Sequence, residues 1–276
     1  MNIKNTLFYT ASKLHKYSPT SDLDAEIFVS FVISKPREFL YTYPEKELTA
    51  FQLKKLNQFI DRRLNNEPVA YIVGQKEFYG LDFIVNKNVL IPRPDTEILV
   101  DQILKIKNDK FKMIDMGTGS GCVAIALKKL LPQANIIASD ISNSALTIAR
   151  KNAKFNLCDI KFYCSDLFDK IPQNIYHNNF DIIIFNPPYL TKNEAKKKNL
   201  KHEPQIALTP KNFTALINKF FLQSKSFISN DGYFFIEIGH RQASLIKKIA
   251  LRYCPKAKIV VIKDLGGFDR VVKIKI

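Results

Sequence analysis

Met113-Ile-Asp-Met-Gly117-Thr118-Gly119-Ser120-Gly121, running directly into Cys122-Val-Ala-Ile-Ala-Leu-Lys-Lys-Leu-Leu131, is the stretch on which the fold turns. A short apolar strand, three glycines at alternate positions and an apolar-periodic helix make the first strand-turn-helix unit of a nucleotide-binding α/β domain. Glycine there lets a ligand approach the backbone closely. The spacing is G-x-G-x-G, not the dinucleotide G-x-G-x-x-G, and no Lys-Ser/Thr follows as a phosphate loop requires, so the pattern argues against NAD and ATP.

Outward from this turn, more strands end in polar groups. Asn135-Ile-Ile-Ala-Ser-Asp140 reads as a strand ending in a carboxylate, about twenty residues on, where a ribose diol would be bound. Lys161-Phe-Tyr-Cys-Ser-Asp166 ends in another acid, placed to accept from an adenine amino group. The fourth strand, Asp181-Ile-Ile-Ile-Phe185, runs into Asn186-Pro187-Pro188-Tyr189. Two prolines lack N–H donors and hold the residues before them extended, leaving carbonyls free beside the Asn186 side-chain oxygen. Two such acceptors suit the N–H donors of a planar amide or aromatic amine, with Tyr189 as a flat face. Asn-Pro-Pro is also an ordinary strand terminator, and by itself it does not separate the two readings. Ligands bind beyond the carboxyl ends of such strands, so these four strand ends are expected to converge.

These residues resemble the class I S-adenosylmethionine-dependent methyltransferases, and within them the group whose Asn/Asp-Pro-Pro-Tyr/Phe motif holds a nitrogen to be methylated. The resemblance implies a Rossmann-like sheet of seven strands with an antiparallel last strand. It names a reaction and leaves protein amide, adenine N6 and guanine N2 open as acceptors.

A chain of 276 residues predicts about two domains. No apolar run approaches the length of a membrane span, and Met1-Asn-Ile-Lys-Asn is not followed by a signal-type apolar core; the expectation is a soluble cytoplasmic protein with no membrane contact. Cys122, Cys158, Cys164 and Cys254 form no C-x-x-C pair and read as buried thiols; the four histidines do not cluster, so no metal is expected. The charge of +16 is uneven: residues 1–92 carry 12 basic and 10 acidic side chains, residues 93–276 carry 30 and 16. A basic half favours acidic or nucleic-acid-bound partners, although 34 lysines against 8 arginines, scattered, also read as a compositional bias.

Residues 1–73 read as a helical, substrate-positioning domain: Asn5 to Tyr17, Leu23 to Ser34 capped by Ser21-Asp22, Arg37 to Leu40 and Thr49 to Leu64. Residues 74–92 contain strand-like alternation around Gly80 and read as a β-hairpin linker; residues 93–276 form the catalytic domain. A helix from Ile98 to Ile106 is expected to be capped by Thr96 or Asp95. Toward the end, a helix Phe213 to Ile228, a strand Tyr233 to Ile238, a helix Gln242 to Tyr253 and two antiparallel strands, Lys258 to Lys263 and Arg270 to Ile276, complete the sheet.

Nearly the whole chain is similar to the HemK/PrmC type, the peptide-chain release factor glutamine N5-methyltransferases. The residues that carry this are Glu67-Pro-Val-Ala-Tyr71, Ile91-Pro-Arg-Pro-Asp-Thr-Glu97, Asp115-Met-Gly-Thr-Gly-Ser-Gly121, Ser165-Asp166-Leu167-Phe168, Asn186-Pro-Pro-Tyr189, Glu203-Pro204 and Asp269-Arg270-Val271-Val272. The resemblance implies methyl transfer from S-adenosyl-L-methionine to the glutamine of the Gly-Gly-Gln loop of class 1 release factors. It implies Gly117, Thr118, Gly119, Ser120 and Gly121 around the methionine portion, Asp140 on the ribose, and Asp166 with Leu167 on the adenine. Asn186, Pro187, Pro188 and Tyr189 would hold the amide. The expected protein is a monomer, working near ribosomal nucleic acid. Two departures mark the substrate loop: His202 stands where relatives carry an aromatic, and Thr209-Pro-Lys-Asn-Phe213 replaces a glycine-rich stretch, implying a different backbone path. A nucleic-acid amino-methyltransferase and a non-enzymatic RNA-binding factor on the same fold are the alternatives.

Overall fold

Alternation within the strands builds two cores on one sheet. The computed structural model describes residues 1–106 and 108–276. A small hairpin of β1 (Gln75–Phe78) and β2 (Leu81–Ile84) precedes a seven-stranded sheet. The large sheet contains β3 (Lys112–Met116), β4 (Asn135–Asp140), β5 (Lys161–Cys164), β6 (Phe180–Phe185), β7 (Ile228–Glu237), β8 (Lys258–Lys263) and β9 (Asp269–Lys275), in the order β5-β4-β3-β6-β7-β9-β8. Strands β3 to β7 are parallel, and β9 inserts between β7 and β8, antiparallel to both. The seven-stranded sheet with a reversed last strand is therefore as expected.

Successive side chains point to opposite faces. Ile114, Met116, Ile183 and Phe185 enter one core with Phe220, Phe221 and Ile246; Met113, Ile182, Ile184 and Phe235 enter the other with Leu99, Val100 and Ile125. Burial on both faces explains why β6 reads as an unbroken apolar run. Each such side chain contributes about 1.5–3 kcal/mol by burial.

The chain divides into two compact units, Met1–Gln75 with Lys198–His202, and Lys76–Lys197 with Glu203–Ile276. The hairpin expected as a linker over 74–92 falls, from Lys76 onward, in the second unit. In the first unit the helices Ile3–Leu14, Ser21–Ile33, Arg37–Thr42 and Ala50–Leu64 lie close to the expected spans, and a short helix, Val69–Val73, follows them. Asn2 caps the first through its side chain, and Thr49 with Gln52 forms a capping box on the last, satisfying donors that a helix start leaves open. Phe28, Leu56 and Phe59 fill its core, and Arg63 reaches the buried Asp24 at 2.7 Å.

Three expectations are corrected. Cys122 alone among the four thiols is buried; Cys158 and Cys254 are half-buried and Cys164 is exposed. The helix after the Ile-Pro-Arg-Pro loop starts with a 3-10 turn, Pro94–Thr96, and continues as Glu97–Leu104, with neither Thr96 nor Asp95 making a side-chain cap. The helix from Phe213 ends at Ser224, because Ile228 already pairs with Phe180 as the start of β7. Among the described residues no helix is long and apolar enough to cross a membrane.

Candidate active site

Strand order reverses between β3 and β6, with β4 and β5 on one side and β7 on the other. Met116 is in register with Phe185, so the glycine turn after β3 and the Asn-Pro-Pro-Tyr turn after β6 leave the sheet side by side. A cavity of about 570 Å³ opens there, within the second unit. That volume lies in the range of small-molecule and cofactor sites.

One wall belongs to the glycine turn. Gly119 has φ +56° and a Cβ there would meet no atom within 4 Å, so conformation, not crowding, calls for glycine. Gly121, at φ +83°, is also confined: an added Cβ would lie 3.0 Å from Ile125 Cδ1 and 3.3 Å from Ala149 Cβ, where the helix Cys122–Leu130 packs against its neighbour. Gly119 N–H donates to Asp140 Oδ2 at 2.9 Å, and Ser142 N–H donates to Asp140 Oδ1 at 2.9 Å. Burial pushes the Asp140 carboxyl up while these amides hold it down. Asp115 is buried beneath, takes the Thr118 hydroxyl at 2.6 Å, and is pushed up to about 7 by burial. Ser120 is buried, its carbonyl accepting from Asn152 Nδ2 at 2.9 Å. Leu167 lines the cavity and is largely buried; Asp166 stands at the rim, paired at 2.7 Å with Lys219, which also holds Asp169 at 2.8 Å.

The opposite wall carries Asn186. Its Nδ2 donates to Thr96 Oγ1 at 3.3 Å, which leaves Oδ1 as the free end. Asn186 and Pro188 line the cavity, whereas Pro187 is buried and Tyr189 turns its hydroxyl to Glu237 Oε1 at 3.1 Å. Gln242 fixes the same turn, donating from Nε2 to the Tyr189 carbonyl at 3.0 Å and accepting Gly239 N–H at 2.9 Å. Glu237 is buried, and burial pushes its carboxyl up to about 7, while the Tyr189 hydroxyl that it accepts and the neighbouring Thr96 hydroxyl pull the other way. Burial first, then the Glu237 charge, pushes the Tyr189 hydroxyl well above its ordinary value.

Two segments close the sides. Residues from Asn88 to Thr96 form one, and residues from Pro204 to Leu216 the other. They are fastened by Glu203, a buried carboxylate that accepts Ile91 N–H at 3.1 Å and pairs with the Arg93 guanidinium. Thr209, Pro210, Lys211 and Asn212 all line the cavity, and Asn212 caps the helix Phe213–Ser224. No residue of 209–213 has positive φ, so this path needs no glycine. His202 belongs to the helical unit, its Nε2 3.2 Å from the Asn65 carbonyl.

The sequence motifs contain Thr96, Arg93 and Glu203 without giving any of them a part in the site, and Glu237 stands outside every motif. Local spacing reads Thr96 as a helix cap and Glu237 as an ordinary strand residue. A carboxylate at the end of the apolar run Tyr233-Phe-Phe-Ile-Glu-Ile238 was the signal available.

Comparison with known proteins fits this geometry. The methyltransferase small domain model matches residues 94–244 and the PrmC N-terminal domain model matches residues 7–74. A release factor glutamine methyltransferase from Coxiella burnetii is 37% identical over 276 residues, covering 99% of this chain and 98% of that protein. The chain belongs to the release factor glutamine methyltransferase family. A bifunctional methyltransferase from Rickettsia felis is 34% identical over 309 residues; the match takes in 98% of this chain but 57% of that longer protein. Among solved structures, a methyltransferase from Pyrococcus furiosus superposes with a TM-score of 0.53 at 17% identity, covering 78% of this chain and 96% of that one, which bears on fold alone. For a release factor glutamine methyltransferase, the cavity wall at β3 and β4 fits S-adenosylmethionine: an open glycine turn and a backbone-anchored carboxylate at the end of β4 suit its main-chain and ribose groups.

Proposed function

We propose that this chain transfers a methyl group from S-adenosylmethionine to the side-chain amide nitrogen of the glutamine in the Gly-Gly-Gln loop of class 1 peptide-chain release factors. The observation that carries the reading is Asn186 at the switch point, its Nδ2 taken by Thr96 and its oxygen left for a substrate N–H. Bound S-adenosylmethionine supplies an electrophilic sulfonium methyl. Gly117, Thr118, Gly119, Ser120 and Gly121 would surround its methionine portion, Asp140 would take the ribose hydroxyls, and Asp166 with Leu167 would take the adenine.

An amide nitrogen is a weak nucleophile because its lone pair is delocalised. Acceptance of its two N–H groups by Asn186 Oδ1 and the Pro187 carbonyl turns the nitrogen toward the methyl carbon. With the donor bound, the nitrogen held in this way would take the methyl group, the donor's sulfur leaving as a neutral thioether, and would then give up a proton to solvent. Positioning of this kind can supply about 7–11 kcal/mol of a barrier. Pro188 stiffens the turn, and Tyr189, anchored through its hydroxyl on Glu237, would offer the amide a flat face.

The helical unit positions the release factor. The enzyme acts as a monomer in the cytoplasm, with the basic excess of residues 93–276 directed at ribosomal nucleic acid. The test is transfer of labelled methyl to a purified release factor, to its Gln-to-Ala variant, and to RNA and DNA. Label on the release factor that disappears with the Gln-to-Ala change is the expected result. Label on nucleic acid alone would replace this reading with a base methyltransferase, and binding without transfer would leave an RNA-binding factor.

A further inference from the structure

The two ends of a carboxamide have opposite hydrogen-bonding character, so an asparagine that must accept a substrate N–H is useless when flipped. Local sequence cannot prevent that flip. In this fold the neighbours of Asn186 can. Its Nδ2 meets a single hydroxyl, Thr96 Oγ1, and Thr96 is buried. Beyond Thr96 lies Glu237, 1% exposed, whose Oε1 takes the Tyr189 hydroxyl and whose Oε2 is buried with no closed hydrogen bond among the described residues. A hydroxyl has one proton. If a carboxylate, which only accepts, draws that proton toward Oε2, Thr96 has only lone pairs left for Asn186.

We propose that Glu237 and Thr96 form a polarity lock: the carboxylate takes the Thr96 proton, Thr96 must accept from Asn186 Nδ2, and Asn186 Oδ1 is thereby committed to the cavity. Both are positioning residues and neither touches substrate. The proposal rests on the reading of Asn186 as the amide acceptor, but the lock itself is a property of the protein without substrate. Protonation of Glu237 would release it, since a carboxylic acid can donate to Thr96 and free the hydroxyl proton for Asn186 Oδ1. The charged and titratable groups facing Glu237 are Tyr189 after β6, Arg270 on β9, Asp95 in the Pro94–Thr96 turn and Cys122 at the start of its helix. Arg270 favours the carboxylate, whereas Asp95 opposes it.

Neutron diffraction from deuterated, substrate-free crystals at pH 8 tests the lock directly. Deuterium on Asn186 Nδ2 pointing at Thr96, and on Thr96 Oγ1 pointing at Glu237, is expected; the Asn186 oxygen facing Thr96 would overturn it. In kinetics, Glu237→Gln and Thr96→Val should each lower kcat about 10- to 100-fold, the scale of losing one orienting hydrogen bond in the transition state. KM for release factor and affinity for S-adenosylmethionine should stay within about threefold, and Thr96→Ser should retain activity. Glu237→Gln should also remove its share of the acid limb of the kcat profile near pH 7, leaving any part due to Asp115. An unchanged kcat in Glu237→Gln, or a loss of cofactor affinity and thermal stability in step with kcat, would reduce Glu237 to a packing residue. If no release factor is methylated at all, the neutron result still decides the lock.

Discussion

The two walls of the cavity are held by different means. At β3 and β4 most contacts run through the backbone: Gly119 N–H and Ser142 N–H on Asp140, and Thr118 N–H on the Ser139 carbonyl at 2.9 Å. At β6 and β7 the contacts that reach the Asn186 and Tyr189 side chains run from side chain to side chain across long stretches of sequence, Asn186 to Thr96 and Tyr189 to Glu237, with Gln242 holding the backbone of the same turn. Backbone contacts tolerate many side chains but require particular φ values; side-chain contacts require particular atoms and leave φ unconstrained. The first wall suits a ligand shared by many proteins, and the second suits discrimination among acceptors.

Substitutions can break this contrast, and the greatest effect is expected at Asn186. Asn186→Ala should lower kcat by about a thousandfold or more, roughly 4 kcal/mol of transition-state stabilisation, while cofactor affinity shifts only a few-fold. Calorimetry showing equal loss of both would make Asn186 a structural residue and erase the distinction between walls.

Next comes pH. Asp115 and Glu237, one in each wall, are both raised by burial to about 7 from ordinary values near 4. A raised carboxyl gives stability that is fully present below its unfolded pKa and is lost as pH rises through the folded one. Stability of the ligand-free protein should therefore fall between about pH 4 and pH 7, by on the order of 4 kcal/mol for each group at most. Urea titrations at pH 5 and pH 8 measure this, and Glu237→Gln should remove the Glu237 share of the difference and leave that of Asp115. A flat wild-type profile would mean that water reaches both carboxyls.

Arg93→Ala should cost about 2 kcal/mol, less than a fully buried pair because Arg93 is partly exposed, since it strands the buried Glu203. Adding Glu203→Gln should recover part of the loss; simple additivity in the urea midpoints would show that the pair does not join the two closing segments.

Asp140→Ala should weaken S-adenosylmethionine binding about 10- to 30-fold, roughly 1.4–2 kcal/mol, through the loss of charge-assisted hydrogen bonds to a diol. An unchanged dissociation constant would count against its ribose role. The smallest effect is expected from Lys219→Ala: its pairs with Asp166 and Asp169 are solvent-exposed, so thermal unfolding should move by the equivalent of about 0.5 kcal/mol or less. A larger shift would mark the Asp166 rim as a structural clamp.

Legibility followed the same division. The glycine turn, the strands ending at Asp140 and Asp166, and the final antiparallel pair could be read because periodicity and turn chemistry are local. The helix starts were close for the same reason, Thr49 with Gln52 being the clearest case. Thr96 shows the limit. It has the right residue type and position for a cap, yet the Pro94–Thr96 turn leads into the helix without a side-chain cap, and its hydroxyl answers Asn186 ninety residues away.

Sequence alone determined the strand-turn-helix succession, because it rests on residues within a few positions of one another, and it carried the motifs whose resemblance to a family implied the seven-stranded sheet. Tertiary structure decided which polar groups meet at the switch point: Thr96 against Asn186, Glu237 against Tyr189, Glu203 against Ile91 and Arg93. The physical reason is that a buried donor or acceptor must find a partner wherever the fold brings one, and that choice depends on three-dimensional proximity, which spacing along the chain does not encode.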